Sequence, residues 1–453
     1  MEAASLSRRE FVEGVTAVAG FMIVPRHVLG GPGYQAPSDK LNIAGIGVGG
    51  MGASNIDRCR GENIVALCDA DERRAAQTFN KFPDAKRYRD FRKMLEAEKG
   101  IDAVVIATPD HTHAVAAMMA MKLGKHVYVQ KPLTRAVGEA RKLTEAARQY
   151  KVATQMGNQG HSGEGVRLVC EWIWDGAIGP VREVHCFTNR PVWRQPVQRP
   201  TEQVEVPERL DWDLWLGPAP FRPYHPAYLP QIWRGWWDFG CGSLGDMACH
   251  IMDAAFTALK LGYPTSVEAC ASTYPGEKMF TWVEYKESFP GSSIIHYSFP
   301  ARGDMPPVKL HWYDGGMLPE RSEDLEPGRK LVFKDNGGTI FVGEKGKIAC
   351  GTYSDDPIIF PESRNQAYTR PAPHLPRVQG THEQNWIDAC KGGPPATSNF
   401  DYAGPFTEAV VMGNLAVRYP GQKLEWDGPN MRVTNLEEAN QYIMPVYREG
   451  WSL

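Results

Sequence analysis

The run Lys40 to Gly52 reads KLNIAGIGVGGMG, and it restricts what this chain can fold into more than any other segment. Leu41 to Ile46 predicts an apolar strand that enters a glycine cluster and leaves it as a helix over 53–60. Glycines at such a point let the backbone turn tightly and approach a pyrophosphate with no Cβ in the way, while the free N–H groups of the helix start face the anion. Two registers of GxGxxG overlap here. Gly45, Gly47 and Gly50 form one; Gly47, Gly49 and Gly52 form the other, and only the second leaves the strand whole before its first glycine. The second is the expected cofactor loop. The next apolar run, Asn63 to Cys68, ends at Asp69, close to the spacing of about 20 residues at which a carboxylate meets a ribose. An acid there favours NAD over NADP, although Arg73 and Arg74 leave room for a 2′-phosphate. The competing reading makes Asp69 the cap of a helix that begins near Asp71.

Strands and helices then alternate. Asp102 to Ala107 predicts a buried strand, followed by the turn Thr108-Pro109-Asp110-His111-Thr112-His113 and a helix through Leu123; His126 to Val129 predicts the next strand, followed by Gln130-Lys131-Pro132 and a helix over Glu139 to Tyr150; a strand over Val152 to Met156 closes the series. This order predicts an α/β fold with a doubly wound parallel sheet of the Rossmann kind, in which ligands sit at the carboxyl ends of the strands. Lys131 falls one residue past such an end.

At 453 residues the chain exceeds one ordinary domain, and its 42% apolar and 23% charged content fits a folded globular protein. With 50 Lys+Arg against 53 Asp+Glu, no global positive field gathers nucleic acid or anionic lipid. Nine cysteines without a CxxC pair make neither a disulfide framework nor a zinc cluster, so no metal is expected. Ser7-Arg8-Arg9-Glu10-Phe11 ahead of the mildly apolar Val12 to Val24 reads as a twin-arginine export signal over 1–31, too short and too rich in small residues to span a bilayer. That predicts a periplasmic or exported protein without a membrane span in its mature form. The alternative is a cytoplasmic N-terminal helix.

The segments GVGGMG (Gly47 to Gly52), ALCDAD (Ala66 to Asp71), IDAVVIATPDHTHA (Ile101 to Ala114), GKHVYVQKPL (Gly124 to Leu133) and GSLGDMACHIMD (Gly242 to Asp253) together resemble the Gfo/Idh/MocA oxidoreductase family. One departure is Gln130 where that family carries Glu beside the lysine. The resemblance implies a Rossmann domain over 38–157 and a substrate-binding α+β domain over 158–453, with Thr108, Pro109, His113, Gln130 and Lys131 at the cofactor. It further implies that Lys131 converges on the nicotinamide with the helix bearing Asp246 and His250. Asp246 and His250 lie four apart and so share one helix face. A neutral imidazole there can accept a proton from a sugar hydroxyl, oriented by the adjacent carboxylate, while Lys131 offsets charge on the oxygen. Asp253 reads as structural.

From Pro191 to Trp237 the chain is dense in proline and tryptophan, which predicts an ordered loop region. Its rings, including Trp236 and Trp237, beside His225, Tyr228, Arg234 and Asp238, suit the faces and edges of a carbohydrate, or else fill a core beneath the loop. Period-2 or apolar segments at Val181 to Phe187, Val267 to Thr273, Thr281 to Tyr285, Ser293 to Phe299, Val308 to Trp312 and Thr339 to Gly343 predict one large, mostly antiparallel open sheet, with Tyr313 presented to the ligand from a strand end. A homo-oligomer formed through that sheet is expected. Asn158 and Gln159 are placed for the nicotinamide, His161 for substrate. Helices are expected over His382 to Cys390, capped by Thr381, and Phe406 to Arg418.

The leading expectation is an NAD(P)-dependent oxidoreductase acting on a secondary hydroxyl of a sugar or glycoside with tightly held NAD, since an exported enzyme has little free cofactor to exchange with. A redox-neutral glycoside hydrolase that oxidises, eliminates, hydrates and reduces uses the same parts. A sugar-binding protein with a retained nucleotide is the non-catalytic alternative.

Overall fold

The computed structural model describes residues 39–329, 333 and 335–453, so the export signal expected over 1–31 lies outside the described residues. The first layer is built from β1 (Asn42–Ile46), α1 (Met51–Arg58), β2 (Asn63–Cys68), α2 (Glu72–Lys81), β3 (Lys86–Tyr88), α3 (Phe91–Ala97), β4 (Ala103–Ile106), α4 (Asp110–Lys122), β5 (His126–Val129), α5 (Val137–Tyr150) and β6 (Thr154–Met156). The six strands pair in parallel in the order β3-β2-β1-β4-β5-β6. Strand order reverses between β1 and β4, and the glycine loop leaves β1 at that point. β4 is buried on both faces, as its unbroken apolar run requires. β3 and α3 escape a pattern reading because no residue of β3 is fully buried, so it has no apolar face to announce it. Asp71 caps α2 by accepting the Arg73 N–H, which releases Asp69 from capping duty.

After α6 (Glu164–Trp174) comes the second layer: β7 (Val181–Phe187), then α7 (Gly242–Ile251), α8 (Asp253–Ala258), β8 (Ser266–Ala271), a separate hairpin of β9 (Tyr274–Pro275) and β10 (Trp282–Val283), β11 (Ser293–Phe299), β12 (Val308–Tyr313), β13 (Gly338–Gly343), β14 (Gly346–Gly351) and β15 (Ile358–Phe360). The helices α9 (His382–Cys390) and α10 (Phe400–Arg418) precede β16 (Lys423–Asp427) and β17 (Arg432–Val433). Nine strands form one sheet in the order β15-β14-β13-β7-β12-β11-β8-β16-β17, antiparallel throughout except for β7 with β12. The inner face carries Val184, Cys186, Ile295, Tyr297, Leu310 and Trp312 into the core shared with α7 and α10.

Two expectations are corrected. Thr281 to Tyr285 does not join the large sheet, because Trp282 and Val283 pair only with the short β9 and Phe280 beside them is 92% exposed. The last long helix begins six residues before Phe406, since Asn399 caps it by accepting the Asp401 N–H and Pro405 is carried inside.

Segments of the second half pack back on the first sheet. α9 returns beneath the first sheet, where Trp386 and Ile387 pack with Ile43, Val105 and Tyr128. Its buried Glu383 accepts from Asn55 Nδ2 at 2.7 Å and pairs with Arg58 at 3.3 Å. The proline-rich segment crosses the carboxyl ends of the parallel strands, tied down by Glu72 N–H to Arg209 O (3.1 Å) and Asp211 N–H to Ala70 O (2.8 Å).

Candidate active site

The glycine loop is shaped by exclusion. Gly47 has φ +75°, and a Cβ on it would stand 2.7 Å from the Thr108 amide nitrogen; a Cβ on Gly52 would stand 1.9 Å from the Gly47 carbonyl oxygen. Gly52 therefore serves helix-to-strand packing, while Gly47 and Gly49 line the open cleft. Asp69 Oδ2 accepts the Val48 and Gly49 N–H groups at 2.9 and 3.2 Å, and Oδ1 accepts from Asp71 at 2.9 Å. Burial pushes this carboxyl up to about 6 against the pull of those three donors. Thr108 and Pro109 line the same cleft, and the buried Thr108 Oγ1 has no protein partner. A Cβ-free cradle, an acid at the second strand end and an unpaired hydroxyl between them fit a dinucleotide.

At the other end of the cleft Lys131 leaves β5 and reaches α7. Its Nζ donates to the Asp246 carbonyl oxygen and lies 3.2 Å from Asp246 Oδ1. Arg234 Nε donates to the same Oδ1 at 3.0 Å, and Arg190 Nε lies 3.6 Å from Oδ2. Burial alone would raise Asp246, but the Lys131 and Arg234 charges hold it well below the usual carboxylate range. One turn on, His250 is buried with Nδ1 unpartnered and its ring edge-on to Tyr353 at 4.8 Å between centroids. Burial, then the Lys131 charge, holds this imidazole neutral. The expected Asp246–His250 pair is not formed: the carboxylate is committed to three cations, and the imidazole stands free beside them.

Other expected site residues are placed elsewhere. His113 puts both ring nitrogens on backbone carbonyls, Pro132 O and Thr108 O at 2.9 Å each, and so braces the cleft wall from behind. Gln130 lines the cleft but gives Nε2 to Asn55 Oδ1 at 2.9 Å. Asn158 Nδ2 and His161 Nδ1 both meet Asp253 Oδ1 at 3.0 Å, which makes Asp253 the hub of a buried network behind the site. Gln159 sits half-buried in the turn whose Gly160 packs on Tyr353. Trp236 is fully buried in an aromatic core with Trp212, Trp215, Tyr228 and Phe239, and is not a sugar platform. Trp237 is sandwiched by Phe289 and Arg418, and His225 faces Glu202 on the covering loop. Tyr313 is a parity error: β12 turns Trp312 inward and Tyr313 to the opposite face, where its hydroxyl meets His185 at 3.2 Å.

Arg190, Trp451 and Asp110 are additions to the expected site residues, while Trp233, one of the rings expected to suit a carbohydrate, does line the cleft. Asp110 alone carried a local signal, since it opens the helix directly after β4.

Residues 41–158 match the NAD-binding Rossmann fold of the Gfo/Idh/MocA oxidoreductase family, and residues 179–295 match its C-terminal alpha/beta domain. The chain belongs to that family. Its N-terminal domain therefore takes NAD as cofactor. The chain is 26% identical to a levoglucosan dehydrogenase of Pseudarthrobacter phenanthrenivorans over 212 residues, 47% of this chain and 46% of that enzyme. It is 34% identical to an inositol 2-dehydrogenase of Rubrobacter xylanophilus over 116 residues, 25% of this chain and 33% of that enzyme. It thus spans less than half the length of either. Among solved structures, the WlbA dehydrogenase from Bordetella pertussis in complex with NADH and UDP-GlcNAcA superposes with a TM-score of 0.59 at 17% identity, over 86% of this chain and 99% of that one, a likeness of fold.

Asp110 offers a direct test of these electrostatics. It is buried at the cleft, and burial pushes its carboxyl up to about 7, opposed by the Arg234 and Lys131 charges. A raised acid binds its proton more tightly folded than unfolded, so its ionisation costs stability as pH rises from about 4 to 7. Asp110→Asn is expected to gain on the order of 2 kcal/mol over the parent between pH 5 and pH 8 in paired denaturant melts. A gain that shrinks with rising pH would contradict the assignment.

Proposed function

We propose that this protein is an NAD-dependent dehydrogenase that oxidises a secondary hydroxyl of a sugar or glycoside and keeps its cofactor between turnovers. The observation that carries the reading is the clamp of Lys131, at the end of the cleft that begins at the glycine loop, on Asp246, one helical turn before a buried, neutral His250. Bound NAD supplies the hydride acceptor. His250, held uncharged, takes the hydroxyl proton. The Lys131 ammonium, aimed by two contacts to Asp246, offsets negative charge that develops on the same oxygen. Thr108 and the Cβ-free glycine loop hold the nucleotide side, and Asp69, braced by the Val48 and Gly49 amides, meets its ribose. Retention is supported by the covering segment: Leu229, Pro230, Trp233 and Trp451 line the cleft together with the glycine loop and so restrict the exit of the cofactor.

The relatives named as levoglucosan and inositol dehydrogenases support the choice of a cyclic polyol or sugar. Denaturing the purified protein is expected to release NAD at close to one per chain. His250→Ala is expected to keep that nucleotide while lowering turnover about 10²- to 10⁴-fold. Protein that carries and binds no nucleotide, or His250→Ala with undiminished turnover, overturns the proposal. Aglycone release from aryl glycosides without net reduced cofactor would transfer the same residues to the redox-neutral elimination route.

Self-association through the outer face of the nine-stranded sheet belongs to the same proposal. His296, His311 and His185 stand side by side on β11, β12 and β7, half-buried, with Glu183 pairing to His185 and His311 and His296 meeting His311, on a face not covered by α7 and α10. Sedimentation velocity is expected to show at least a dimer; a particle of one chain at micromolar concentration rules it out.

A further inference from the structure

Charge at the Asp246 cluster does not balance. Lys131 satisfies one carboxylate, yet Arg190 and Arg234 converge on it as well, from the end of β7 and from the covering segment. Their side chains are only 24% and 27% exposed, so both guanidinium groups have lost much of their water. Each has donors to spare. Arg234 spends Nε on Asp246, and no described residue receives its Nη1 or Nη2; its plane lies over the Trp233 ring at 4.3 Å and near Trp193 at 5.9 Å, which fixes the fork in place. Arg190 spends Nη1 on Asn189 Oδ1 at 2.7 Å and leaves Nη2. The nearby acids do not absorb the surplus. Asp238 is taken by Arg222, Asp355 by the Tyr353 backbone N–H, and Asp335, beside Tyr353, forms no ion pair within 4.0 Å with either arginine. Burial pushes Asp110 up to about 7 against the Arg234 and Lys131 charges, so it offsets only part of the surplus.

Three partly buried cations that share one carboxylate are costly unless an anion arrives with the ligand. Arg234 lines the cleft beside Lys131, at the far end from the glycine loop and Asp69, so the cofactor pyrophosphate on that loop does not account for it. A planar fork with two free N–H groups matches a two-oxygen anion. We propose that the substrate is an acidic sugar whose carboxylate or phosphate group is bound by Arg234 and Arg190 next to the carbon that is oxidised. This rests on the sugar-oxidising reading of the same site and narrows it: the reacting hydroxyl lies at Lys131 and His250 while the anionic oxygens occupy the two arginines, and neutral sugars lack the group that the site was built to meet.

Binding and turnover separate the two claims. The holoprotein is titrated calorimetrically with a panel of hexuronates, hexose 6-phosphates and the corresponding neutral hexoses, and reduced cofactor is read by absorbance in the same samples. At least one acidic sugar is expected to bind about tenfold or more tighter than its neutral counterpart, with the advantage shrinking as salt is raised. Arg234→Gln and Arg190→Gln are expected to erase most of that acid-over-neutral ratio, and Arg234→Lys to restore part of it. Preference within the panel tells carboxylate from phosphate. Neutral hexoses that bind as tightly as every acid tested, or arginine variants that weaken acidic and neutral ligands by the same factor, overturn the inference. Oxidation of neutral sugars without acid preference defeats the inference and leaves the dehydrogenase standing; salt-sensitive, arginine-dependent acid binding without any cofactor reduction does the reverse.

Discussion

One carboxylate holds the working end of this molecule together. Asp246 sits on a helix of the second layer, and the cations that clamp it come from three places: Lys131 from the end of a parallel strand of the first layer, Arg190 from just beyond the end of β7, and Arg234 from the covering segment. Attraction between these groups is strong because each is largely shielded from water, and it fixes the lysine against α7, where the proposed reaction needs a charge to meet the oxygen. The same clamp leaves His250 without a charged partner. Its lowered proton affinity follows from burial beside an ammonium, and a neutral, partnerless imidazole is what a proton acceptor at that position requires.

The interlocking of the two layers serves this geometry. A Rossmann sheet standing alone would present Lys131 on a free strand end. Here α9 passes under the first sheet through Trp386 and Glu383, and the proline-rich segment lies across its carboxyl edge. The aromatic core under that segment, with Trp212 stacked on Trp215 at 4.9 Å and Tyr228 edge-on to Trp236 at the same distance, gives a stretch whose regular structure is confined to short helical turns enough buried surface to stay in place. Rigidity there lets Trp233 and Arg234 act as a fixed wall rather than a mobile lid.

How much of this was legible depended on whether the signal was local. The strand, glycine turn and helix at Leu41 to Arg58 read directly from the sequence, because period, glycine placement and helix start all lie within one short run. Register was legible because only one reading leaves the strand whole before its first glycine, and β1 does end at Ile46, directly before Gly47. Lys131 stood out because a strand end is where a parallel sheet collects its ligands. Tyr313 failed on parity, as an alternating strand does not say which of its faces meets the site. Trp236 failed because an aromatic ring suits a core and a carbohydrate equally well until its neighbours are known. Arg190 was invisible as a site residue for a third reason: its significance comes from surplus charge, a property of groups brought together from distant parts of the chain.

The account turns on where the nicotinamide lies, and a crystal structure of the protein purified with its cofactor measures that most directly. The ring is expected at the Lys131 end of the cleft, in contact with the Lys131 ammonium and facing the His250 imidazole, with the pyrophosphate on the glycine loop. A ring turned toward Trp451, or a cofactor whose reactive face is separated from both side chains by protein, would contradict the account.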